Sequence, residues 1–106
     1  MHIISRRKLR EFWENDKQSE TVLDDWYRKI KALKPENLAE LRLTFPSADL
    51  VGDCIIFDVG KNKYRVITKI YFREQTCLVR FVLTHKEYDE NKWRLDCGFK
   101  TKTGRK

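Results

Sequence analysis

The fold is decided by the stretch CIIFDVGKNKYRVITKIYFREQTCLVRFVLT, residues 54–84. It contains three apolar-rich segments, at residues 54–59, 64–72 and 77–84, in which polar and apolar side chains tend to alternate. The short polar separators between them, residues 60–63 and 73–76, have the length of hairpin loops. The stretch therefore predicts three consecutive antiparallel strands.

Centring the loops on these separators predicts how the strands pair. Arg65 is expected opposite Asp58 on one side and Thr84 on the other. Lys69 is expected opposite Arg80, and like charges directly across a ladder are destabilising. Because an anionic ligand would relieve that repulsion, the polar face of the sheet is predicted to be a basic binding surface.

Upstream of the strands the apolar spacing is helical. Ser5 is expected to cap a helix over residues 6–16, and a second helix is predicted over residues 19–34. A short strand is expected at residues 2–4, and a third, short helix near Pro35. The apolar positions of the first two helices are Leu9, Phe12, Trp13, Val22, Leu23, Trp26, Ile30 and Leu33. The prediction is an α+β fold with N-terminal helices on the apolar face of a small antiparallel sheet, and the opposite, basic face open.

The charge of the chain lies in its second half. The 106 residues predict one domain, over residues 1–96, followed by a basic, loosely ordered tail at residues 97–106. The formal charge is +7, from 23 basic and 16 acidic side chains. Residues 1–53 are balanced, so the whole excess belongs to residues 54–106. Such an excess favours a polyanionic partner.

The remaining composition argues against metals, cofactors and membranes. Cys54, Cys77 and Cys97 are odd in number and far apart, which predicts neither a disulfide framework nor a zinc site. They are expected to be small apolar residues. Only His2 and His85 could add ligands, so no metal or cofactor is expected. Without an apolar run of bilayer length or a signal-peptide core, the expected location is cytoplasmic.

Five short segments, in their order and spacing, resemble a known family. They are Leu9…Phe12-Trp13, Leu23…Trp26, Phe45-Pro46-Ser47-Ala48-Asp49, Asn62-Lys63-Tyr64-Arg65 and Thr84-His85-Lys86-Glu87-Tyr88-Asp89. Over about residues 3–93 the chain resembles the HigB-type toxins of bacterial toxin–antitoxin pairs, within the RelE-like fold group. Asp58, Lys61 and Leu83 depart from the family pattern, which has Asn, Gly and Gly there.

The resemblance implies a ribosome-dependent endoribonuclease that cuts mRNA. It also implies a cognate helix-turn-helix antitoxin that neutralises the toxin, with operator DNA contacted only through the antitoxin. RNA cleavage without a metal needs a base for the 2′-OH, a cation for the phosphorane charge and an acid for the leaving oxygen. Arg65 is the candidate cation, since its planar fork binds phosphate oxygens in pairs. His85 is a candidate acid or base, and Tyr88 can donate a proton or stack on a nucleobase.

Each candidate also has a purely structural interpretation. Arg65 could simply pair with Asp58, His85 could close the end of the last strand, and Tyr88 or Trp93 could pack on the fold. The residues expected to bind RNA are Lys63, Lys69, Tyr71, Arg80 and Lys86. A non-enzymatic RNA- or ribosome-binding module that uses the same face is the alternative function. A DNA-binding protein is a weaker third hypothesis, because no helix-turn-helix signature is present.

Overall fold

The computed structural model describes residues 1–98, in which three N-terminal helices pack on one face of a five-stranded sheet. In chain order the elements are β1 (His2–Ile4), α1 (Arg6–Asn15), α2 (Ser19–Ala32), α3 (Leu38–Thr44), β2 (Asp49–Val51), β3 (Cys54–Val59), β4 (Tyr64–Tyr71), β5 (Thr76–Thr84), α4 (His85–Asp89) and a 3₁₀ helix (Lys92–Leu95). The strand order is β1-β5-β4-β3-β2, with β1 parallel to β5 and the other pairs antiparallel. The predicted α+β class is confirmed.

The helices supply the first core, largely as predicted. Leu9, Trp26 and Ile30 are buried against the sheet residues Phe57 and Val66. Burial of this apolar area is the main force that holds the helical layer on the sheet. No helix within residues 1–98 is long and apolar enough to cross a membrane.

The first helix begins at Arg6 as predicted, but the predicted cap of this helix and the predicted start of the third helix are wrong. Ser5 has a φ of 74° and its side chain forms no capping hydrogen bond, so it does not act as the predicted N-cap. The third helix begins at Leu38 rather than near Pro35, because the Asn37 side chain accepts a hydrogen bond from the backbone N–H of Glu40.

The β3–β4 hairpin has the predicted pairing, with Asp58 opposite Arg65. Lys61 and Asn62 both adopt positive φ angles in its turn, as tight hairpin turns require. Because side chains alternate between the two faces, Asp58 and Arg65 lie on the face away from the helices.

The pairing predicted for β4 and β5 is wrong, because the loop between them is centred one residue earlier than predicted and β5 contains a bulge. Ile67 pairs with Phe81 but Thr68 pairs with Val79, which leaves Arg80 as the extra residue. On the loop side of the bulge Lys69 lies opposite Leu78 rather than Arg80, and beyond the bulge Arg65 lies opposite Leu83 rather than Thr84. Beyond the bulge every side chain of β5 changes face. Phe81 and Leu83 join the face of Arg65, and Val82 joins the helical core.

The face expected to be open is covered at its centre. Trp93, from the 3₁₀ helix, is only 1% exposed and packs with Ile56, Ile67 and Cys97. The bulge explains the cover, since it adds Phe81 and Leu83 to this face and creates a second apolar surface. Such a surface is stable only when another part of the chain removes it from water.

A disulfide joins this cover to the sheet, which corrects the interpretation of the cysteines. Cys54, at the start of β3, is bonded to Cys97, and only Cys77 of the three is free. Cys97 is therefore buried rather than part of a loosely ordered tail. The rest of the predicted tail, residues 99–106, lies outside the described residues.

Candidate functional site

A cavity of about 470 Å³ opens on the face of the sheet away from α1 and α2. Its lining comes from α3, the loop into β2, the strands β2, β3 and β4, and α4. The lining residues are Arg42, Pro46, Ser47, Ala48, Asp49, Ile56, Asp58, Arg65 and Tyr88. Two of the three predicted catalytic residues, Arg65 and Tyr88, therefore share one concave site.

The Arg65 guanidinium is held in place by the protein. Its Nε lies 2.9 Å from Oδ1 of Asp58, and its Nη1 donates to the backbone carbonyls of Asn62 and Tyr64 at 3.2 and 3.4 Å. Its side chain is only 11% exposed. Among residues 1–98, no acceptor is bonded to Nη2. Arg65 thus offers the N–H donors of Nη2 in a preset orientation. Little side-chain entropy is therefore lost when an anion binds to them.

Tyr88 is positioned by the capping of α4 and by aromatic packing. Thr84 and Glu87 form a reciprocal capping box that starts this helix directly after β5. The Tyr88 ring stacks on Trp93 with centroids 4.9 Å apart, and the Arg65 guanidinium lies 5.1 Å from its centroid. Burial raises the pKa of the Tyr88 phenol, which Arg65 lowers only in part. At neutral pH the phenol is therefore protonated and can donate a proton.

His85 lies beside the site but does not line the cavity. Its backbone N–H donates to the carbonyl of Lys63 at 3.1 Å, which ties the start of α4 to the β3–β4 turn. Its Nδ1 lies 3.0 Å from Oδ2 of Asp89, and its side chain is 54% exposed. When Nδ1 carries the proton donated to Asp89, Nε2 keeps a lone pair directed elsewhere.

The predicted RNA-binding residues fall into two groups. Lys63 and Lys86 are exposed at the same end of the sheet as His85. Arg80 instead forms a bidentate pair with Asp96, at 2.7 and 2.6 Å, and the Lys69 ammonium lies 3.8 Å from Asp53. The charges predicted to repel one another are thus each compensated by a carboxylate.

Tyr71 is exposed at the far end of β4. It is six residues from Arg65, a separation of roughly 20 Å along a strand. The structure therefore does not join Tyr71, Lys69 and Arg80 to the cavity.

Sequence reasoning missed Arg42, Ser47 and Asp49 as parts of this site. Arg42 Nε donates to the backbone carbonyl of Ala48 at 2.8 Å, which fixes the loop between α3 and β2. Asp49 begins β2, a three-residue edge strand that the sequence pattern did not reveal. The available signal was the run of small and polar residues after Pro46, within a segment that carried the family resemblance.

The residues that could hold a metal lie away from the cavity. Within residues 1–98, the side chains of Cys54, Asp96 and Cys97 are close enough together to ligate one ion. Their sulfurs are joined in the disulfide, and the carboxylate is bonded to Arg80. In this oxidised form the cluster does not fit a metal, because a metal-binding cysteine must be a thiolate.

Known proteins resemble this chain over most of its length. Residues 19–91 match the HigB toxin family, described as the RelE-like toxic component of a toxin–antitoxin system. The chain is 36% identical over 95 residues to the mRNA interferase toxin HigB of Escherichia coli K12, across 84% of this chain and 88% of that protein. The mRNA interferase HigB of Shigella flexneri is also 36% identical over 95 residues. That of Escherichia coli O6:H1 is 32% identical over 93 residues, across 85% and 90% of the two chains.

Proposed function

The chain belongs to the HigB family of RelE-like toxins, and from that premise we propose that it is an endoribonuclease that cleaves mRNA on the ribosome. The observation that carries this proposal is the preset guanidinium of Arg65 in a cavity shared with Tyr88. A cation with a donor edge toward a concave site suits a phosphate whose negative charge grows in the transition state.

The proposed reaction uses this chain's own side chains and no metal. His85 Nε2 takes the proton of the ribose 2′-OH, and the 2′-oxygen attacks the adjacent phosphorus. Arg65 Nη2 donates to a non-bridging oxygen as the phosphorane forms. The bond from phosphorus to the 5′-oxygen then breaks, and that oxygen takes the phenolic proton of Tyr88. The products are a 2′,3′-cyclic phosphate and a 5′-hydroxyl end.

His85 and Tyr88 are assigned to these roles by their protonation. The raised pKa of Tyr88 keeps its phenol protonated, as an acid requires. The contact between His85 Nδ1 and Asp89 leaves Nε2 available as the base. Because His85 lies beside the cavity rather than in it, the substrate strand has to pass from the cavity across the start of α4.

The proposed RNA path is basic only in part. Lys63 and Lys86 are exposed near His85 and would contact phosphates of the strand. Lys69 and Arg80 are left out of the proposed path because neither lines the cavity and each faces a carboxylate. The overall charge of +7 favours approach to ribosomal RNA in the cytoplasm. A helix-turn-helix antitoxin is the proposed partner that neutralises the toxin and brings it to operator DNA.

The test is induction of the parent protein, Arg65→Ala and Arg28→Ala, with RNA ends mapped in a translating lysate. Arg28 is the matched control, since it is an arginine on α2 that is 78% exposed and pairs with Asp24 rather than with a residue of the cavity. We expect growth arrest and cyclic-phosphate ends with the parent and with Arg28→Ala, and neither with Arg65→Ala. Coexpression of the antitoxin should restore growth. Equal cleavage by all three proteins would refute the role of Arg65.

A non-enzymatic RNA-binding module is the second candidate function. It is favoured by the pairing of Arg65 with Asp58, because Asp58 compensates the positive charge that Arg65 would offer to the phosphate. This function predicts ribosome binding that weakens steeply with salt, and no new RNA ends in the lysate. Growth arrest without RNA ends would therefore select it over the endoribonuclease.

A further inference from the structure

The cavity has a second wall, opposite Arg65, that the proposed reaction does not use. We propose that Asp49 on this wall reads a nucleobase of the RNA by accepting hydrogen bonds from its Watson–Crick edge, with guanine as the preferred base. The inference rests on the proposed function, since it assigns the specificity of the same endoribonuclease.

Asp49 and Asp58 both line the cavity, but their charges are compensated differently. Asp58 is compensated by Arg65 at 2.9 Å, but within residues 1–98 Asp49 forms no ion pair. Asp49 lines the same cavity as Arg65 and Tyr88, and its pairing with Ile56 places it on the same face of the sheet. Asp49 is exposed, so water solvates its charge in the free protein. When RNA fills the cavity, that charge repels phosphate unless the carboxylate accepts hydrogen bonds from the substrate.

The position of Asp49 in the sheet suits a nucleotide that also reaches Arg65. Asp49 pairs with Ile56, and Asp58 and Arg65 are paired two residues further along β3 on the same face. Two strand spacings and a two-residue offset separate Asp49 from Arg65 by about 12 Å between backbone positions. This separation is comparable with the length of a nucleotide from its base edge to its phosphate. A nucleotide lying over Ile56 can therefore meet Asp49 at one end and Arg65 at the other.

The backbone of Asp49 is held in place on both sides. The hydrogen bond from Arg42 to the carbonyl of Ala48 anchors the residue immediately before Asp49. The pairing of β2 with β3 holds Asp49 itself. A recognition group on a fixed backbone discriminates better, because a misplaced base cannot recover its hydrogen bonds by local movement.

The choice of base follows from donor geometry. A carboxylate only accepts hydrogen bonds, and guanine presents two adjacent donors, N1–H and N2–H, that match its two oxygens. Adenine and cytosine present one amino donor beside an acceptor nitrogen. Uracil presents one imino donor between two carbonyl oxygens, which the carboxylate repels. Guanine is therefore the base that Asp49 favours most.

The test compares the parent protein with Asp49→Asn and Asp25→Asn. Each variant removes one carboxylate charge, but Asp25 is 61% exposed on α2 and paired with Lys29. The substrates are a set of reporter mRNAs that carry, in turn, each of the four bases at every position around one mapped cut. Each reporter is cleaved in a translating lysate. A bidentate base contact discriminates by roughly 5- to 150-fold. We expect the parent and Asp25→Asn to prefer guanine at one position by at least about tenfold, and Asp49→Asn to lose that preference.

The outcomes separate the inference from the proposed function. If the preference of the parent protein for guanine survives in Asp49→Asn, the inference is overturned and the proposed endoribonuclease activity stands. A preference for another base that Asp49→Asn abolishes would support the subsite and overturn the assignment to guanine. The absence of RNA ends with the parent protein would overturn both.

Discussion

Reduction of the Cys54–Cys97 disulfide is expected to destabilise this protein strongly. The bond spans 43 residues of sequence, from the start of β3 to the end of the C-terminal cover. In the chain-entropy description, a loop of that length lowers the free energy of the native state relative to the unfolded chain by about 4 kcal/mol. That is a large part of the total of about 5–15 kcal/mol expected for a domain.

The measurement is urea unfolding of the oxidised and reduced protein, followed by tryptophan fluorescence. With a urea dependence of about 1–3 kcal/mol/M, the loss of 4 kcal/mol moves the midpoint downward by about 2 M. The signal sums Trp13, Trp26 and Trp93, and Trp93 packs in the cluster that holds both cysteines, so the loss of the cover contributes to it. The reductant should not move the midpoint of the Cys54→Ala/Cys97→Ala variant, which is the control.

Thiol titration provides the second readout. The denatured oxidised protein should contain one free thiol, and the reduced protein three. In the folded protein Cys77 should not react at pH 8, because burial raises the pKa of its thiol to about 12. Equal urea midpoints before and after reduction, or three thiols in the untreated protein, would refute this account of the cover.

Two further predictions concern the same C-terminal cover. Trp93→Ala should lower the free energy of unfolding by about 3–5 kcal/mol and also lower cleavage, because Tyr88 loses its stacking partner; full cleavage by a folded variant would contradict the role of Tyr88. Hydrogen bonds from Arg80 lower the pKa of Asp96. The ionised carboxylate therefore stabilises the fold at pH values above its ordinary pKa of 3.8, and this stabilisation is lost as the pH falls below that value. Asp96→Asn should therefore be less stable than the parent at pH 7 and lose less stability between pH 7 and pH 2.5; parallel urea midpoints across that range would contradict the prediction.

Much of the helical layer and the first hairpin could be predicted from sequence. The spacing of Leu9, Trp26 and Ile30 identified the buried faces of α1 and α2, because the period of a helix follows from its backbone geometry. The turn at Lys61 and Asn62 fixed the pairing of Asp58 with Arg65, since a short loop leaves few registers. These features depend on residues that are close in sequence.

The candidate site could be predicted only in part. Arg65 and Tyr88 were identified as candidates and share the cavity, whereas His85 lies just outside it. Asp49 was missed, because a three-residue edge strand has too little periodicity to recognise. The predicted basic cluster around Arg80 was wrong, because Arg80 forms a bidentate pair with Asp96, which is distant in sequence.

The sequence by itself determined the helices, the β3–β4 hairpin and the excess of positive charge in the second half. Only the tertiary structure decided the bulge at Arg80, the Cys54–Cys97 bond and the cover under Trp93. The physical reason is that one extra residue in β5 moves Phe81 and Leu83 to the other face without changing the local pattern. That exchange creates the second apolar surface, and the C-terminal segment that covers it supports Tyr88 beside Arg65.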